Sequence, residues 1–150
     1  MDKTSVDMFR DFLTTVWAPL LEPMGFRGKG FDYHRDRGPY RDVIKVEPDA
    51  KGSAVRVYLG VHSRLVLTSG DYADASQAAV GSLIASRYLA LPGCVESFWV
   101  IKPAGPVNLQ IIVNNLHALF LNEGKTYFDE VSTLRAPASR ILREPGAVIR

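Results

Sequence analysis

Apolar and polar positions follow two different periods along this chain. Near its start, Val6, Phe9, Leu13, Val16 and Leu20 recur at three- and four-residue spacing, and Phe12 and Trp17 widen the stripe. That period predicts a helix with one apolar face. Thr4 ahead of Asp7 fits a variant capping box, with the carboxylate near the positive helix end. Pro19 has no amide hydrogen and predicts a break or kink at Ala18; Pro23 and Gly25 end the segment.

From Phe26 the period becomes two. Phe31 and Tyr33 alternate with Asp32 and His34, and Arg37-Gly38-Pro39 marks a turn. Tyr40 to Glu47 reads as a second strand with Ile44 and Val46 on one face, followed by a turn from Pro48 to Gly52. Ser53 to Ser63 is the most regular strand. Val55, Val57, Leu59 and Val61 share one face, and Arg56, Tyr58, Gly60 and His62 share the other. Strict alternation predicts one buried face and one open to solvent or a partner. Three strands with short turns make an antiparallel meander.

Ala75 to Ala85 has a helix-forming composition, while Ser86 to Leu91 fits an extension of that helix or a strand, so residues 75–91 stay open between the two. Leu91-Pro92-Gly93 breaks the chain. Val95 to Lys102 predicts a fourth strand centred on Phe98-Trp99-Val100-Ile101. After a second break at Pro103–Pro106, Asn108 to Asn122 is helical through Leu109, Ile112, Leu116, Leu119 and Phe120. Gly124 interrupts it, and Tyr127, Phe128, Val131 and Leu134 carry a final helix; the tail after Pro137 is expected to fray. The architecture is a single α+β domain over residues 1–150. It has an N-terminal helix, a four-stranded mostly antiparallel sheet and C-terminal helices packed on one face.

Composition narrows the function classes. The chain has 150 residues, 47% hydrophobic and 23% charged, which fits a globular domain and not a disordered tail or a coiled-coil rod. Its net charge of +2 implies neither a nucleic-acid nor a membrane partner by itself. No apolar run approaches the ~20 residues of a membrane span. Met1 to Asp7 carries early acidic residues and no following apolar run, unlike a secretory signal, so a cytoplasmic location is expected. The one cysteine, Cys94, excludes an intrachain disulfide and a cysteine zinc site.

Candidate chemistry is sparse. Gly25, Gly28 and Gly30 with Arg27 and Lys29 resemble a phosphate loop, but a strand follows instead of a helix N-terminus, and no Ser or Thr follows Lys29. A turn with positive φ angles explains the glycines better. His34, His62 and His117 have no partner at metal-ligand spacing, so neither a metal nor a cofactor is expected. His117 reads as a hydrogen-bonded packing residue. His34 and His62 both fall on strands and can approach across the sheet, which keeps a hydrolase as the third-ranked function class. Ser63 is adjacent to His62, so the two point to opposite faces. Asp71 with Asp74 and Asp129 with Glu130 are explained by helix-end placement and solvation. Residues 26–45 carry a local charge of +3, and Phe31, Tyr33, His34 and Tyr40 lie among the basic residues. Acidic residues alternate with the basic ones, which suits a solvated hairpin better than a phosphate track.

The segment Pro23-Met24-Gly25-Phe26-Arg27-Gly28-Lys29-Gly30, then Tyr33 and Arg35, resembles a bacterial domain-of-unknown-function family. Its members begin with a helix, a P-x-G-F-x-x-K-G turn and a strand ending in Arg. The resemblance continues through Asp42-Val43-Ile44, and through Val57-Tyr58-Leu59-Gly60-Val61, which is similar to that family's v-N-L-G-i strand. Ser86-Arg87-Tyr88-Leu89, Phe98-Trp99 and Leu121 to Phe128 resemble its later positions. Tyr58 stands where the family has Asn, Phe98 where it has Trp, and its strand-two Gln is missing. The resemblance supplies no catalytic residues. Similar domains occur near toxin–immunity genes, which implies a non-catalytic protein-binding domain, an immunity protein that neutralises a toxin by steric occlusion. The runner-up is an accessory nucleic-acid-binding domain. The expected partner-binding residues are His34, Arg35, Arg37, Arg56, Tyr58 and His62, taken together as the sheet face and hairpin that the helices leave free.

Overall fold

The computed structural model describes residues 4–63 and 83–131. Helix α1 (Ser5–Phe12) starts where the capping residues place it: the Asp7 amide donates to Thr4 Oγ1 at 3.1 Å. The backbone does not break before Pro19. A π turn (Leu13–Trp17) follows, in which the Ala18 amide reaches the Leu13 carbonyl, and α2 (Ala18–Leu21) continues the helical path. The wider turn admits the proline ring and missing amide that a regular ladder rejects. A 3-10 turn (Glu22–Met24) then ends at Gly25, whose φ of 95° is left-handed.

Among the described residues six strands follow: β1 (Arg27–Lys29), β2 (Asp32–Arg37), β3 (Tyr40–Pro48), β4 (Ala54–Ser63), β5 (Leu83–Tyr88) and β6 (Trp99–Val100). All pairs are antiparallel, in the order β1-β2-β3-β4-β5, with β6 also on β4. The class is α+β as the pattern predicts, with two strands more than expected. β1 forms inside the glycine turn. Leu83 to Ala85, where the sequence leaves helix and strand open, pair as strand with Val61 and His62 on the β4 edge. The expected strand Val95 to Lys102 contracts to Trp99–Val100. Residues 75–82 and the tail after Pro137 lie outside the described residues.

Helix α3 (Pro106–Leu119) passes through a second π turn (Phe120–Gly124) into helical residues 125–131. Gly124 does not interrupt it. A Cβ there would stand 2.5 Å from Phe120 Cδ1, so the glycine lets that ring lie against the backbone. The helices cover the sheet face bearing Val55, Val57, Leu59 and Val61, all fully buried with Phe9, Leu13, Trp17, Val113 and Phe120. Trp17 joins the layers: its ring meets Tyr33 and Phe120 edge-on at 5.4 and 6.1 Å, and its Nε1 donates to His117 Nδ1 at 3.1 Å. His117 is thus the hydrogen-bonded packing residue the sequence suggests. Burial lowers its pKa, so the accepting, neutral form is favoured.

Candidate functional site

In an antiparallel ladder, paired residues point to the same side. The pairs His34–Val43–Gly60, Lys45–Tyr58–Tyr88, Glu47–Arg56 and Arg41–His62 therefore form the face away from the helices. Arg35–Asp42 and Arg37–Tyr40 belong to the covered face, with Ile44 and Leu59. The six expected partner-binding residues thus divide. His34, Arg56, Tyr58 and His62 are on the open side, and Arg35 and Arg37 are not.

Arg35 and Arg37 converge on Asp42, which is 0% exposed. Arg35 donates from Nε and Nη2 to Asp42 Oδ2 at 2.9 and 2.7 Å, and from Nη1 to the Met24 carbonyl at 3.1 Å. Arg37 Nη2 donates to Oδ1 at 2.7 Å, and its Nε bonds Oδ2. The Arg35 guanidinium also lies over the Phe26 ring at 4.5 Å. A buried carboxylate is tolerable only when paired and hydrogen-bonded, and this one is saturated by two forks. The expected solvated hairpin is corrected for three residues: Arg35, Arg37 and Asp42 form a structural knot on the covered side, while Arg27, Lys29, Asp32 and Asp36 are exposed. The remaining hairpin pair, Arg41 and Asp36, is bidentate on the open side at 2.6 and 3.1 Å.

The open face has its own network. Arg56 donates from Nε to Glu47 Oε1 at 3.1 Å and from Nη1 to Glu96 Oε2 at 2.8 Å. Its guanidinium lies 4.2 Å from the centroid of the Tyr88 ring, and the Tyr88 hydroxyl donates to Glu47 Oε1 at 3.1 Å. Tyr58 meets Tyr88 edge-on at 6.1 Å. A Cβ on Gly60 would stand 2.8 Å from the Tyr58 ring, so this glycine gives the ring a flat bed. Partial burial, then the bond to Glu47, raises the Tyr88 pKa, which keeps the phenol protonated. Arg56, Glu47 and Glu96 each keep about a third of their side-chain surface exposed.

His62 is on the expected face but only 7% exposed, so it is not a contact residue in this conformation. Alternation fixes the side a residue faces and not what overlies it. Burial, then the nearby Arg41 charge, lowers the His62 pKa. His34 pairs with Val43 and His62 with Arg41, on opposite sides of β3, so the two imidazoles are not neighbours across one ladder. Among the described residues no group of three or more His, Cys, Asp or Glu is placed to hold a metal ion.

The glycine turn is a turn. Gly25, Gly28 and Gly30 have φ of 95°, 137° and 62°. A concavity of about 770 Å³ beside it is lined by Thr14, Glu22, Arg27 and the turn itself. The helical segment ends there, presenting carbonyls and the negative end of its dipole, the wrong polarity for phosphate. Glu47, Tyr88, Glu96 and the burial of Asp42 escape the sequence reading. Glu47 becomes legible only once the β3–β4 register is known, whereas Glu96 comes from a loop and leaves no signal.

No protein-family model, curated protein or solved structure matches this chain. The family resemblance is carried by its quoted motifs alone. No helix among the described residues is long and apolar enough to cross a membrane.

Proposed function

We propose that the chain is a non-catalytic protein-binding domain whose recognition surface is the open sheet face around Arg56, Tyr58 and Tyr88. One observation carries this reading. Two tyrosines and an arginine, the residue types that most often anchor interfaces, are held in fixed orientations by Glu47, Glu96 and Gly60 on a part-exposed rigid sheet. Pre-ordering these side chains lowers the entropy that binding would otherwise cost. His34 flanks the centre, while Arg35, Arg37 and Asp42 set the hairpin's shape from behind.

The narrower form, an immunity protein that occludes a toxin in the cytoplasm of the producing cell, rests on the family resemblance. Titrating the product of the adjacent gene into the purified chain tests it. Tyr58→Ala should weaken the complex by about 1 kcal/mol or more. Unchanged affinity in a folded Arg56→Ala, Tyr58→Ala variant would move the interface elsewhere. The nucleic-acid reading is weakened by the ion pairs: Arg35, Arg37 and Arg41 are all engaged by aspartates. Duplex or single-strand binding that survives near-physiological salt would revive it, since binding through phosphates alone weakens steeply as salt rises.

A further inference from the structure

One row of the open sheet face runs across five strands. Lys29, Asp32, Lys45, Tyr58 and Tyr88 are successive partners in the ladder. Paired residues share a side, so all five point away from the helices. Lys29 and Asp32 are exposed, and Lys45, Tyr58 and Tyr88 are part-exposed. The row is basic toward β1 and aromatic toward β5. Arg27, exposed and paired with His34 in the next row, adds a third basic residue at the β1 end. Other charges of this face are matched internally: Asp36 by Arg41, and Glu47 and Glu96 by Arg56. Among the described residues, no carboxylate is ion-paired with Arg27, Lys29 or Lys45. That leaves three basic residues against one carboxylate, Asp32. Surface lysines are ordinarily solvated; these two are set apart by their alignment with a pair of tyrosines held edge-on.

Taking the open face as the protein-recognition surface proposed above, we infer that the partner segment it receives is acidic. Its carboxylates lie over Lys29 and Lys45, and a neutral or apolar side chain rests on the Tyr58–Tyr88 pair. Charge complementarity sets this choice. Lys29 and Lys45 stand two strands apart, about 10 Å at ordinary strand spacing, a span that two carboxylates on one polypeptide segment can match. A polypeptide is favoured over a nucleic acid because Asp32 separates the lysines, and Glu47 and Glu96 hold the Arg56–Tyr88 end. A phosphate backbone carries a charge at every step and would meet those carboxylates, whereas a polypeptide can place neutral side chains opposite them. The division of labour follows from the row itself. The basic end steers an acidic partner in, and the tyrosines supply contact area.

Fluorescence anisotropy of labelled poly-L-glutamate titrated with the full chain tests this at ~0.1 M salt, where exposed charges more than about 10 Å apart are screened. The wild type should bind saturably. Lys29→Glu with Lys45→Glu should raise the dissociation constant about tenfold or more. Lys51→Glu with Lys125→Glu changes the net charge equally at two exposed positions away from the row, and should shift it less than about twofold. If the first pair fails to fold by circular dichroism, Lys29→Gln with Lys45→Gln against Lys51→Gln with Lys125→Gln makes the same comparison. Equal losses in the two pairs would reduce the effect to net charge and overturn the proposal, as would a wild type that does not bind. A single-stranded oligonucleotide that binds more tightly than polyglutamate, and is lost with Lys29→Glu and Lys45→Glu, would also overturn it and give the row to nucleic acid. Titration with the adjacent gene product separates this proposal from the wider one. Full affinity in the Lys29→Glu, Lys45→Glu variant, with loss in the Arg56→Ala, Tyr58→Ala variant, would keep the protein-binding surface and reject the acidic partner.

Discussion

Two arginine–carboxylate networks sit on opposite sides of the same sheet, and they are near mirror images in composition. On the helix side one carboxylate, Asp42, takes two arginines and is sealed from water. On the open side one arginine, Arg56, takes two carboxylates, all about a third exposed. The chemistry is shared and the environment is not. Removing one member of a buried pair strands an uncompensated charge, whereas exposed pairs are screened by water and contribute little to stability. The first network is therefore a structural commitment, and the second is available for recognition.

The sharpest way to break this contrast is to remove the buried carboxylate. Asp42→Ala leaves two largely buried guanidinium groups without their counter-ion and should cost about 3–5 kcal/mol in urea unfolding. A loss no larger than that of an exposed pair would erase the distinction. The covered side also contains Tyr33, only 2% exposed, whose hydroxyl has no hydrogen-bond partner among the described residues. Burial raises its pKa well above the usual phenol range. Tyr33→Phe removes that unsatisfied group and should stabilise the fold by about 1 kcal/mol. On the open side, Arg56→Ala should cost under about 1 kcal/mol of folding free energy.

Acid titration sharpens the comparison further. Burial lowers the His117 and His62 pKa values below the ordinary 6.5. The unfolded chain then binds protons that the folded chain refuses, so the histidine contribution is fully present above pH 6.5. It declines as pH falls through 6.5 toward the lowered folded values. His117→Gln, which can still accept from Trp17 Nε1, should flatten part of that decline in unfolding curves taken at successive pH values. An unchanged slope would mean that His117 is not held neutral by its place between the layers.

Much of this contrast was legible in the residues, and the illegible parts have physical causes. Period two in β4 assigns Val57 and Tyr58 to opposite sides without any structure. The same rule, carried along β2, puts His34 and Arg35 on opposite sides, so the two do not form one patch. Asp42 is buried beside Arg35, whose guanidinium bonds the Met24 carbonyl and lies over the Phe26 and Phe128 rings, long-range contacts that local charge alternation does not encode. Pro19 and Gly124 look like helix breakers because propensity assumes a regular ladder, and both are absorbed by π turns. Leu83 to Ala85 become strand because the β4 edge offers hydrogen bonds that outweigh a weak helical preference.

The central claim is that the Arg56 network recognises a partner while the Asp42 network only holds the fold. Calorimetric titration of the adjacent gene product into the wild type and into the Arg56→Ala, Tyr58→Ala variant tests it most directly, with both chains first verified as folded. The account predicts saturable binding by the wild type and a dissociation constant raised about tenfold or more in the variant. Equal affinity for the two chains, or no binding by the wild type, would contradict it.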